Sequence, residues 1–191
     1  MLTGREVTLR GEDDAPDRYG RQPAFVFLAS PKAAPAETSP AEVLVQAELL
    51  ARGEALVSGA VADKECAPVL AAAETAARQA RRGIWGDSAA IKSTESPGDI
   101  LAGIGRFTVV EGKVLSVRQA GATTYLNFGR NWTRDFAVTI SRRVLAVFEA
   151  AGMVPKSLEN KRIRVRGWVE SRGGPRIEVL RVGQIELLGG N

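Results

Sequence analysis

A chain of 191 residues, 45% of them apolar, suits one or two small domains, and none of its apolar runs approaches the roughly 18–20 residues of a membrane span. The absence of histidine and the single cysteine, Cys66, exclude His-dependent nucleases, Ser-His triads, ordinary His-rich zinc sites and an internal disulfide. The net charge of +4 is uneven: residues 1–86 hold 10 Lys and Arg against 12 Asp and Glu, residues 87–98 carry net −1, and residues 99–191 hold 15 against 8. The basic character therefore belongs to the C-terminal half, as counterion release at a nucleic-acid backbone favours, although many basic domains bind nothing.

The first residues, MLTGREVTLR, lack an apolar signal core, so the chain as written is expected to carry no export signal. Met1 to Gly4 look like the tail of a helix with its terminal glycine. Residues 6–10 alternate, with Val7 and Leu9 on one face, and predict a strand. The loop GEDDAP follows. Its Glu12, Asp13 and Asp14 fit a solvated acidic loop better than a metal site, because no ligand spacing is specified. Residues 17–27, DRYGRQPAFVF, place Tyr19 in a turn between Arg18 and Arg21, ahead of an apolar strand in which Phe25 and Phe27 share a face. A guanidinium held at the edge of that strand can grip a phosphate through paired hydrogen bonds; a solvated hairpin turn is the plainer alternative. Residues 30–40 read as a surface loop.

A helix is expected from Ser39 or Pro40 to about Arg52, ended by Gly53, and a short extended segment over 54–61. Cys66 reads as a small buried hydrophobe. A second helix is expected over residues 68–82, with Pro68 in its first turn and Glu74 and Arg78 four apart. Gly83 stops it and Ile84-Trp85 folds back as an apolar plug. Arg81 and Arg82 suit the negative end of the helix dipole, with a phosphate grip as the alternative.

The order of DRYGR, VQAELLARGEALV and AAETAARQARRGIWG resembles the thermonuclease (staphylococcal-nuclease-like) family over about residues 5–86, matching only the back half of that family's domain. The resemblance implies a nucleic-acid phosphodiesterase that uses a calcium ion held largely by aspartates, a glutamate near the attacking water, and two arginines. Arg21 takes the place of one catalytic arginine, and Arg18 and Tyr19 those of residues that hold a terminal phosphate. The calcium aspartates, the glutamate and the other arginine would precede this sequence. No metal ligand or cofactor is therefore assigned, and the enzyme is expected to be inactive or truncated as the chain stands.

Residues 87–98 read as a linker. Beyond it the pattern is all-β with one helix: strands over 107–117, 123–128, 136–140, 162–170 and 177–188 (the last in two pieces), and a helix over 142–151 with Val144, Leu145, Val147 and Phe148 as its apolar stripe. Five strands with a helix between the third and fourth is the order of an OB fold. The run TTYLNFGRNW, DFAVTI, RIRVRGWVE, GPRIEV also resembles OB-fold domains attached to bacterial nucleases. The expected fold class is α+β, mainly β: a partial thermonuclease-type OB barrel in residues 1–86, a linker in 87–98, and a second OB-fold-like β-barrel in 99–191. The second domain is expected to fold alone and the first is not. Parity puts Arg162, Arg164, Arg166 and Trp168 on the outer face of the fourth strand, with Tyr125 and the loop residues Arg130, Trp132 and Arg134 as further candidates for DNA or RNA, single-stranded by preference. These arginines solvating a barrel exterior, with Trp168 and Trp132 closing its ends, is the alternative. A non-catalytic nucleic-acid-binding protein, or one that binds protein or envelope components, remains open beside the enzyme.

Overall fold

The computed structural model describes residues 2–11, 16, 18–29, 42–61 and 63–189. The acidic triplet Glu12, Asp13 and Asp14 and the Pro/Ala-rich loop lie outside the described residues. The described chain divides into two units, 1–57 with 63–86, and 58–62 with 87–191.

In the first unit, β1 (Val7–Arg10), β2 (Phe25–Ala29) and β3 (Glu42–Leu44) form an antiparallel sheet, followed by α1 (Val45–Arg52) and α2 (Cys66–Gln79). The first helix begins later than its periodicity suggests. Val43 and Leu44 pair with Leu28 and Phe27, and that ladder holds residues 42–44 extended. The Gln46 side chain then bonds both Ala24 C=O (2.9 Å) and Val26 N–H (3.1 Å), satisfying backbone groups at the entry to β2. Arg10 ion-pairs with Glu42 and lies 4.2 Å from the centre of the Phe27 ring. Leu28, Leu44, Leu50, Leu70, Ala77 and Trp85 make a small core. Glu74 is also buried, and its Oε1 accepts the Val57 N–H at 2.7 Å and pins the loop after α1. Trp85 is buried in a 3-10 turn (Gly83–Gly86), as expected of a plug, whereas Ile84 is exposed. The Cys66 thiol is half-buried, and desolvation pushes its pKa up, away from reactive thiolate.

The second unit contains β4 (Ile91–Ser93), α3 (Pro97–Leu101), β5 (Phe107–Lys113), β6 (Ser116–Ala120), β7 (Thr123–Asn127), β8 (Ala137–Ser141), α4 (Arg142–Ala150), β9 (Arg162–Arg172), β10 (Gly174–Val179) and β11 (Ile185–Leu187). The strand path is β4-β5-β9-β10-β8-β7-β6, with β11 on β9. β5 and β6 are consecutive stretches of one bent strand. At the bend Val114 N–H bonds Lys161 C=O and Leu115 N–H bonds Asn127 C=O, so the strand changes partner from the β9 side to the β7 side. Among the described residues the sheet does not close into a barrel; with β8 and β10 parallel and α4 between β8 and β9 it follows an OB-like course. Val110, Leu126, Phe136, Val138, Ile140, Ile163, Val165 and Ile177 fill the interior, and Phe148 of α4 closes one end. Val144 and Leu145 pack beside Phe148. Val147, expected in the same stripe, is 54% exposed, because the turn of the helix carries it off the 144–145–148 face.

The stretch expected as a linker is built into this unit. Ile91 to Ser93 pair in parallel with Val109 to Glu111, and Ile100 of α3 is fully buried. Small polar residues hid a short strand that adds to the edge of this unit's sheet. A fragment starting at residue 87 should therefore melt well above one starting at 99, since the shorter piece loses β4 and part of α3; equal melting temperatures by circular dichroism would count against this boundary.

Candidate nucleic-acid interface

On the outer face of β6, β7, β8 and β10, cross-strand register sets up two rows. Ser116, Asn127, Ala137 and Arg176 align in one, and Arg118, Tyr125 and Thr139 in the next. The rows floor an open cleft of about 980 Å³, walled by Gly129, Arg130, Trp132 and Asp135 from the β7–β8 loop and by Arg172 and Gly174 from the β9–β10 turn. Arg118, Arg130, Arg172 and Arg176 thus ring one concavity with Tyr125 on its floor. Arg176 is held by Glu170 at 3.0 Å; among the described residues no ion pair is formed by Arg118, Arg130 or Arg172. Cations beside a flat ring suit phosphates and bases.

The arginine row of β9 is only partly exposed. Arg164 and Arg166 are only 7% and 5% exposed. Register places Glu111 of β5 and Glu186 of β11 on either side of Arg164. Its guanidinium meets Glu111 at 2.5 Å and Glu186 at 2.7 Å, and Arg166 lies 3.7 Å from Glu186. Burial alone would lower the pKa of Arg164, but the hydrogen bonds to Glu186 and Glu111 outweigh it and hold the pKa above its ordinary value. The row faces outward as its parity requires, but an outward face in the middle of a sheet is flanked by neighbours, and here the neighbours bring carboxylates. Arg162 is exposed at the strand start, and Trp168 is 63% exposed, edge-on to Phe107 at 6.1 Å. Neither lines the cleft that holds Tyr125 and Arg130.

In the first unit, the turn before β2 stacks Arg18 and Arg21 on the Tyr19 ring at 4.7 and 5.0 Å from its centre. Strand β2 starts only at Phe25, so Arg21 lies ahead of the strand, not at its edge. Residues 1–87 match the family model described as Staphylococcal nuclease homologue. The N-terminal unit is a thermonuclease-like domain. Among the described residues no group of three or more His, Cys, Asp or Glu stands together.

No curated protein matches the chain. Among solved structures, an OBody bound to hen egg-white lysozyme aligns at 19% identity and a TM-score of 0.34, over 47% of this chain and 85% of that one. Asparaginyl-tRNA synthetase from Pyrococcus horikoshii aligns at 17% identity and a TM-score of 0.33, over 46% of this chain and 20% of that one. The OB-like course of the unit that follows the thermonuclease-like domain rests on its own strand pairing.

Sequence reasoning missed Arg118, Arg172 and Arg176 at the cleft. A signal was available: Arg118 faces Tyr125 once the hairpin turn at Gly121 sets the β6–β7 register. Arg172 and Arg176 gave none, because β10 comes to the cleft only through its parallel pairing with β8.

Proposed function

We propose that this protein binds single-stranded DNA or RNA through the cleft of its C-terminal unit. The carrying observation is the convergence of Arg118, Arg130, Arg172 and Arg176 around Tyr125. Phosphates track the guanidinium groups while an unpaired base reaches the ring, which a duplex does not offer. Fluorescence anisotropy of the full chain with oligothymidylate, oligouridylate and a duplex of equal length tests it. Binding should favour the single strands and weaken with salt by about 0.7 in slope per phosphate contacted. Replacing Arg118, Arg130 and Arg172 together with alanine should flatten that slope by about 2. Absence of binding at low salt, or a triple variant that binds like the parent, rejects the proposal. The cleft reading expects Trp168→Ala to bind as the parent does.

Phosphodiester hydrolysis is the second reading, favoured by the family match and by the stacked Arg18–Tyr19–Arg21 turn. In it Arg21 stabilises charge on the phosphorane and Arg18 and Tyr19 hold a terminal phosphate. Arg21 by itself does not activate water, so incubation with DNA or RNA and calcium should give no cleavage above a blank. Cleavage that disappears in Arg21→Ala would establish the enzyme instead.

A further inference from the structure

Trp132 is 78% exposed, more than any other large apolar side chain among the described residues. An indole on a slack loop would gain by folding down, yet this loop is tightly made. Phe128 N–H bonds Phe136 C=O at its base, and the two rings pack at 5.2 Å beneath. Asn131 C=O accepts from Arg134 N–H (3.1 Å) and Asp135 N–H (2.8 Å). The Asn131 side-chain oxygen accepts from the Thr133 N–H (3.1 Å) and hydroxyl (2.6 Å). Asp135 Oδ2 accepts the Asn131 N–H at 2.7 Å and draws the loop closed. A Cβ on Gly129 would stand 1.9 Å from that oxygen, so glycine there makes the room the carboxylate occupies. The indole lies along Gly173 of the opposite turn, where an added Cβ would be 3.7 Å from its six-membered ring.

Asp135 is out of place electrostatically. It lines a cleft ringed by arginines, lowers the potential that would draw phosphates, and among the described residues forms no ion pair with any of them. Its hydrogen bond to the loop accounts for its presence.

We infer that Trp132, not Trp168, is the platform on which one unpaired base stacks, and that Asp135 is the positioning residue that holds this platform at the rim of the arginine cleft. The inference rests on the reading that the cleft binds single strands. The ligand is a strand with one base on the indole and adjoining phosphates at Arg130 and Arg172. An aromatic platform fixed before binding loses little conformational freedom when the base arrives, which is what a pre-closed loop contributes.

The test is fluorine NMR of the full chain carrying 5-fluorotryptophan, with Trp85, Trp132 and Trp168 assigned by single Trp→Phe replacements and oligothymidylate as the probe. The Trp132 resonance should shift with the same midpoint as the anisotropy titration, while those of Trp85 and Trp168 stay in place. Trp132→Ala should weaken binding by about 5- to 150-fold, the range of one base stack. Asp135→Ala should weaken it toward the same level, and the double variant should be no weaker than Trp132→Ala, because both act through one contact. Asp135→Asn keeps an oxygen acceptor and removes the charge, so it should bind at least as tightly as the parent with the same Trp132 shift. Binding that leaves the Trp132 resonance unmoved, or a Trp132→Ala chain that binds like the parent, overturns the platform while sparing the cleft. An Asp135→Asn chain as weak as Asp135→Ala overturns the positioning role. Failure of the parent to bind any oligonucleotide overturns the cleft reading itself.

Discussion

Arg164→Ala should destabilise the C-terminal unit by about 2–3 kcal/mol and leave oligonucleotide affinity unchanged. The guanidinium is 8% exposed and grips Glu111 and Glu186, whose side chains are 21% and 42% exposed. Removing one partner of a fully buried pair costs about 3–5 kcal/mol, because the charge left behind is unpaired. Here water reaches both carboxylates in part, which brings the expected loss below that range. Arg164→Met fills the space without the charge and leaves the same two carboxylates facing each other, so it should recover only part of the loss. Glu111→Gln combined with Arg164→Met should recover more. Chemical denaturation of the full chain, followed by a C-terminal probe, measures the loss, and anisotropy measures affinity. An Arg164→Ala chain of parental stability that has lost oligonucleotide binding would restore Arg164 to the interface.

Gly53→Ala should disrupt the N-terminal unit more than any other single methyl added there. Gly53 ends α1 in the left-handed region at φ 71°, and the turn after α2 crosses directly over it. A Cβ at Gly53 would lie 2.1 Å from Arg82 O and 2.7 Å from Arg82 C; one at Gly83 would lie 2.3 Å from Gly53 O. These are backbone atoms, so neither side yields by rotating a side chain. The left-handed conformation alone costs a non-glycine residue roughly 1 kcal/mol, and forced backbone displacement adds about 1–3 kcal/mol. Gly20→Ala is the control: its φ is +75° but nothing lies within 4 Å of the added carbon, so only the smaller loss is expected. Hydrogen exchange over α1 and α2 reads the difference. Equal protection in the two variants would mean that the crossing is not held this tightly.

Periodicity and punctuation in the chain were enough to place most elements. Alternation set β1, β7 and β8, and Gly53 marked where α1 ends, because these preferences act over a few residues and need no partner, whereas α2 ends at Gln79, short of the Gly83 expected to stop it. The motif Tyr-Gly-Arg and the closing Gly-Ile-Trp-Gly pointed to the thermonuclease family, and residues 1–87 match it. The charge imbalance located the basic half, and the strand–helix order indicated an OB-like unit.

Pairing across the chain decided the rest. Residues 42–44 became strand rather than helix because β2 offered them a ladder, and Ile91 to Ser93 became strand rather than linker because β5 offered them a parallel one. The same effect decided the interface. Strand parity tells which side of a sheet a residue faces, but not what stands beside it: β5 and β11 set glutamates against Arg164, while β8 and β10, far apart in sequence and parallel in space, drew Arg172 and Arg176 to Tyr125. An arginine's availability depends on the carboxylates that long-range register brings within reach, and that register is a property of the folded sheet.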